Sequence, residues 1–245
     1  MAWKEAYLDI ILIPMGMGLL IVYHVFLYYK VRTSPLQTVM GFHHLGRRAW
    51  VHAIMKDNDK KNVLAVQTLR NSIMAATLMA STATILSTGL AAVISSTYNI
   101  KKPVRDYAYG AHDGFSVSTK FVSLLICFLF SFICYMQSIR FFNHVNYLIN
   151  IPLDDSPMGI TPDYVAHVLA RGCNFYTVGA RGFYFAFPLL VWIFGPIPVV
   201  FCSFALVPVL YRLDMVHDPS DLEKCAADQR YEGRSPTEKD PQLSA

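Results

Sequence analysis

Four long apolar segments constrain this chain more than any other feature. They run over residues 7–29, 72–95, 121–142 and 183–211. Each is long enough to cross about 30 Å of hydrocarbon as a helix, which takes about 20 residues. None alternates with period two, and each is too long for a barrel strand, so helices are the viable spanning form. Only 16% of residues are charged while 54% are hydrophobic. A soluble domain carries roughly 25% charge, so this chain has too little to cover a water-facing surface. Disorder is excluded for most of the chain on the same ground. A secreted disulfide scaffold is excluded by the odd count of five cysteines, three of them (Cys127, Cys134, Cys202) within apolar runs. A net charge of +4 gives no case for nucleic acid. The reading is an all-α integral membrane bundle of four transmembrane helices, residues 1–212, with a disordered polar tail over 213–245. That tail holds eight acidic and four basic residues.

The first segment reads as a retained signal-anchor: it is too long for a signal peptide's apolar region and lacks a basic flank and a cleavage site. The last holds Pro188, Pro196, Pro198 and Pro208. Each removes a backbone donor and crowds the carbonyl four residues earlier. One proline-kinked span is expected, with two half-helices as the alternative. Eight Lys and Arg lie between Lys30 and Arg70, against Lys4 alone on the N-terminal flank. By the positive-inside rule the first loop is cytoplasmic, and four spans put both termini outside or lumenal. The membrane is the plasma membrane or an endomembrane. Between spans, Leu45 to Lys56 reads as a short helix and Asp57-Asn58-Asp59 as its stop. A further helix runs from near Lys60 into the second span. Thr161-Pro162-Asp163 reads as a helix start, leading through Gly172 and Gly182 into the fourth span.

Polar residues fall in stripes. Thr77, Ser81, Thr84, Thr88 and Ser95, with Arg70, lie within about 60° on the second span, opposite Met79, Leu86, Leu90 and Val93. They suit a cavity lining, or close helix packing with hydroxyls returned to their own helix. Ser123, Cys127, Ser131, Cys134 and Ser138 make a similar stripe on the third span, better suited to packing. Asp163, His167, Arg171, Asn174 and Arg181 share a face before the fourth span. With Arg70, Arg140 and His144 they gather cations at one membrane edge. Arg70, Arg140, His144, His167, Arg171 and Arg181 are therefore candidates for an anionic solute or lipid head group, against the plainer reading that insertion left them inside. His44, Arg48 and His52 share a face but lack further ligands for metal, and suit contact with anionic lipid better. No metal, cofactor or catalytic residue is expected. Gly41 to Arg48 has the glycine spacing of a P-loop but no Lys-Ser/Thr, and the common hydrolase and zinc-protease motifs are absent, so an enzyme is disfavoured.

Several stretches carry a resemblance. Tyr7-Leu8-Asp9-Ile10-Ile11-Leu12-Ile13-Pro14, Tyr23-His24 and Tyr28-Tyr29-Lys30-Val31-Arg32-Thr33 open the chain. Asp57-Asn58, Gln67-Thr68-Leu69-Arg70-Asn71 and Ala80-Ser81-Thr82-Ala83-Thr84-Ile85-Leu86 follow, then Gly179-Ala180-Arg181-Gly182-Phe183-Tyr184-Phe185-Ala186 and Phe194-Gly195-Pro196. Together they resemble plant members of the domain of unknown function family 599. The resemblance implies a multi-pass membrane protein and brings no activity or catalytic residue. A channel-like or transport-related protein is the leading expectation. A non-conducting scaffold binding anionic lipid comes next, then a lipid-modifying enzyme using His144 or His167. Four spans with small-residue seams bury little alone, which implies a homo-oligomer or a subunit of a larger membrane complex.

Overall fold

The computed structural model describes residues 2–99, 114–152 and 160–216. Six α-helices carry the fold: α1 Ala2–Thr33, α2 Val39–Lys56, α3 Asn58–Asn99, α4 Gly114–Leu148, α5 Pro162–Val191 and α6 Pro196–Asp214. Short 3-10 turns at Pro35–Gln37 and Trp192–Phe194 join α1 to α2 and α5 to α6. Among the described residues, five stretches are long and apolar enough to cross a membrane: Leu8–Thr33, Lys61–Ser96, Ser118–Leu148, Pro162–Phe194 and Pro196–Asp214. Wide apolar faces stay uncovered, among them Ile10, Val22, Ile85, Ile126, Phe201 and Phe204. In water these would be a severe liability, and in a bilayer they are ordinary. The chain is an integral membrane protein built as a helical bundle.

The helix count departs from the four-span expectation, and the reason is local. Gly195 adopts φ 143° and ψ 171°, and among the described residues it is the only one with positive φ. A residue with a Cβ rarely takes that conformation. Pro196 follows at the first position of α6, where its missing N–H costs nothing. The segment 183–211 is therefore a helical hairpin, not one kinked span. Pro188 and Pro208 are carried inside helices. An even number of spans would return both chain ends to one side. Here the start of α1 and the end of α6 lie at opposite ends of the bundle, because these helices run parallel. Ile13 shares a cluster with Val199, Leu20 shares one with Leu210, and Tyr23 meets Asp214.

Other boundaries follow the local chemistry. Thr161 caps α5 by accepting the Tyr164 N–H at 3.3 Å, with Pro162 and Asp163 in the first turn. The helix then runs unbroken through Gly172 and Gly182. α2 starts earlier than its apolar pattern suggests, because Thr38 accepts the Gly41 N–H at 3.3 Å. A Cβ on Gly41 would fall 2.2 Å from the Pro35 carbonyl oxygen. α3 begins at Asn58, one residue past Asp57, and continues into the membrane span. Leu213 and Asp214 belong to α6, and Met215 pairs with Thr38 in an antiparallel bridge, with the Val216 N–H donating to the Gln37 carbonyl at 3.1 Å. The basic residues Lys101, Lys102 and Arg105 and the tail from 217 lie outside the described residues.

Two antiparallel seams hold the centre. On α5, a Cβ at Gly172 would meet the Phe142 ring at 2.9 Å, one at Gly179 the Tyr135 ring at 3.1 Å, and one at Gly182 the Ser131 hydroxyl at 2.1 Å. Glycine at these three places lets α5 approach α4 closely enough for Ser138 Oγ to donate to the Gly172 carbonyl at 2.8 Å. On α3 the buried line is Ala65, Leu69, Ala76, Ala80, Ala83 and Ser87. Its spacing of three, four and seven is that of a close-packed helix seam.

Candidate functional site

α1, α2, α5 and α6 converge on one buried polar group. Arg181 on α5 pairs through Nη2 with Asp214 Oδ1 at the end of α6, and their side chains are 13% and 8% exposed. The other carboxylate oxygen accepts the Tyr23 hydroxyl at 2.7 Å. The Arg181 guanidinium also lies over the Tyr184 ring, 5.5 Å from its centroid. Beside Tyr23, His24 donates its Nδ1–H to the Leu20 carbonyl at 2.7 Å and packs on Phe185. The Arg181 Nη1 is buried and has no hydrogen-bond partner among the described residues.

Tyr23, Arg181 and Asp214 all fall within stretches long and apolar enough to cross a membrane, Leu8–Thr33, Pro162–Phe194 and Pro196–Asp214. Tyr23 lies about 21 Å along α1 from Asp9, and Arg181 about 16 Å along α5 from Trp192. Asp9 and Lys120 are buried at that far end, with Lys120 Nζ 5.4 Å from the centroid of the Trp192 ring. With that level at one interface, both distances fall short of about 30 Å of hydrocarbon. Ionisable groups placed so are rare and point to function by default. A carboxylate at the end of α6 also faces the negative end of the helix dipole, which disfavours it. Arg181 and Tyr23 offset that cost.

A cavity of about 390 Å³ adjoins the pair. Arg181 and Asp214 line it together with His43, Arg47, Ser72 and Tyr176. Its volume is that of a small-molecule site, for which about 300–1,000 Å³ is usual. Arg47 Nε donates to the His43 carbonyl at 3.0 Å, and Cys173 also lies in the wall. Two guanidiniums face one carboxylate, so the lining carries an excess of positive charge.

Of the candidates for an anion, the structure brings Arg181 alone to this cavity. Arg70, Arg140, His144, His167 and Arg171 are exposed. Asp163 meets Arg48 Nε and His52 Nε2 on α2, each at 2.9 Å, so that face of α2 is committed to α5. Among the described residues no three His, Cys, Asp or Glu side chains gather as a metal site. The hydroxyl stripe on α3 is elsewhere again. Thr77, Ser81, Thr84, Thr88 and Ser95 are exposed, about a quarter turn from the alanine seam. Thr77, Thr84 and Thr88 donate to the carbonyls of Ile73, Ala80 and Thr84 at 2.9, 3.0 and 2.9 Å. None of these five side chains lines the cavity beside Arg181, and Met79 and Leu86 do not form the seam either.

Sequence reasoning missed Asp214, which falls where the apolar run ends and was assigned to the tail. It also missed Tyr23 as a partner of Asp214 and Arg47 as a cavity residue. The available signal was a single acid directly after nineteen residues containing no other carboxylate, with a single arginine on the neighbouring apolar helix half.

The family model "Protein of unknown function, DUF599" matches residues 11–219. Since that covers most of the chain, the chain belongs to this family. No curated protein and no solved structure matches it.

Proposed function

We propose that this DUF599 membrane protein is transport-related and admits a small anionic solute to the cavity beside Arg181. The observation that carries the reading is the Arg181 guanidinium in the wall of a cavity whose lining holds two arginines against one carboxylate. Low dielectric strengthens the pull on an anion there. The cavity end of the bundle bears Lys30, Arg32, Arg47, Arg48, Arg70 and Arg140 and is assigned to the cytoplasm by the positive-inside rule. The start of α1 then lies outside and the end of α6 inside. Arg70, Arg140, His144, His167 and Arg171 form the basic approach, where they attract solute or hold anionic lipid. Uptake of labelled phosphate, citrate and chloride into liposomes bearing the purified chain tests this. Uptake of at least one anion, abolished by Arg181→Gln, is the expected result. Rates equal to those of empty liposomes for all three would contradict it.

A second reading rests on the α3 stripe. The bundle leaves Ser81, Thr84 and Thr88 uncovered on a face of small side chains, and such faces favour close helix association. In that reading the face meets a second copy, or another subunit, and the protein acts as an assembly partner. Cross-linking in membranes through a cysteine placed at residue 88 tests it, with a specific dimer or partner adduct expected and monomer alone contradicting it.

A further inference from the structure

We propose that Arg181 is an oxyanion-binding residue, and that Asp214 is a tethered carboxylate holding the ligand's place until a carboxylate or phosphate group displaces it. The proposal rests on the transport reading of the same cavity and specifies how the cavity is filled. An arginine and a carboxylate normally pair through two parallel hydrogen bonds. Here only Nη2 meets Asp214, because the second carboxylate oxygen is taken by Tyr23. Nη1 is buried with no hydrogen-bond partner among the described residues, a costly state for a charged donor. A free oxyanion would engage both nitrogens. It would also escape the penalty Asp214 bears at the negative end of α6.

The displaced group has somewhere to go. Asp214 ends α6, and the next two residues hold to the α1–α2 connection by the Thr38–Met215 bridge and the Val216 N–H to Gln37 bond. Those contacts form a latch one residue wide on the cavity wall, since Val39 and Met40 directly after Thr38 also line the cavity. Releasing Asp214 frees this latch. The ligand's charge would be balanced by Arg181 and Arg47 together, which suits a group of one or two negative charges.

Equilibrium binding of inorganic phosphate and of citrate to the full chain in phosphatidylcholine nanodiscs tests the proposal. Removing an internal competitor unmasks the competent state, so Asp214→Asn should tighten binding at least about tenfold. Arg181→Gln should abolish binding in both backgrounds. The pair Gln37→Cys and Val216→Cys gives a second test that leaves the charges in place: oxidation should weaken binding about tenfold or more, and dithiothreitol should restore it, while single-cysteine variants stay unaffected. A parallel set with phosphatidylglycerol separates the sources. Loss of the phosphate signal there assigns the site to a lipid head group, and an unchanged signal assigns it to a soluble oxyanion. Weaker or unchanged binding in Asp214→Asn, or insensitivity to the cross-link, overturns the latch while leaving the anion site standing. Binding unaffected by Arg181→Gln, or no binding in any variant, overturns the site itself.

Discussion

The polar stripes of α3 and α5 look alike on paper and fare differently in the bundle. Thr77, Thr84 and Thr88 return their hydroxyls to the carbonyls of their own helix and remain on the exposed face. A hydroxyl has one donor to satisfy, and a carbonyl four residues back suffices. Arg181 carries five donors and a charge, which no carbonyl of its own helix can satisfy. It is drawn inward to Asp214 and Tyr23 on two other helices. A stripe of hydroxyls therefore says little about which way a membrane helix faces, whereas a charge within an apolar run says a great deal.

The largest effect expected is from breaking the charge pair. Asp214→Ala or Arg181→Ala leaves an uncompensated buried ion and should cost about 3–5 kcal/mol, read by thermal unfolding in detergent. The double alanine variant should lose less than the sum of the two, as groups in direct contact do. Additive losses would mean that the pair does not form. Tyr23→Phe keeps the ring and removes one hydrogen bond to a charged acceptor, which should cost about 1.5–3 kcal/mol in the same assay. Gly172→Ala presses a methyl onto the Phe142 ring, for about 1–3 kcal/mol. Nothing lost there would mean that α4 and α5 pack more loosely than the structure has them.

The smallest effects belong to α3. Thr84→Leu and Thr88→Leu should change stability by about 0.5 kcal/mol or less if that face meets lipid. A larger loss, accompanied by a smaller species in native gels, would place a second copy on it and erase the contrast with α5. Arg48→Ala, which unpairs an exposed contact with Asp163, should shift the melting temperature only slightly and the less so at high salt.

Much of the fold was legible from chain chemistry. Apolar run lengths located the first three membrane segments, Thr161-Pro162-Asp163 located the start of α5, and Asp57 the junction of α2 and α3. The hairpin was not, because Gly195-Pro196 fits a kink and a reversal equally well until the glycine's φ is known. The site was legible only at Arg181. Asp214 lies at a boundary where an apolar helix passes into a polar stretch, and sequence alone gives no sign that the helix extends one residue further to bury it. The cations Arg70, Arg140 and Arg171 share the helical register of a basic edge, yet register does not bring them to one cavity.

The most direct measurement is anion uptake into proteoliposomes by Arg181→Gln and Thr84→Leu chains, reconstituted side by side at equal density. If the cavity beside α5 meets the solute, Arg181→Gln falls to the empty-liposome rate while Thr84→Leu keeps the wild-type rate. Loss of uptake in Thr84→Leu with Arg181→Gln unimpaired would reverse the assignment and put the solute's path along α3.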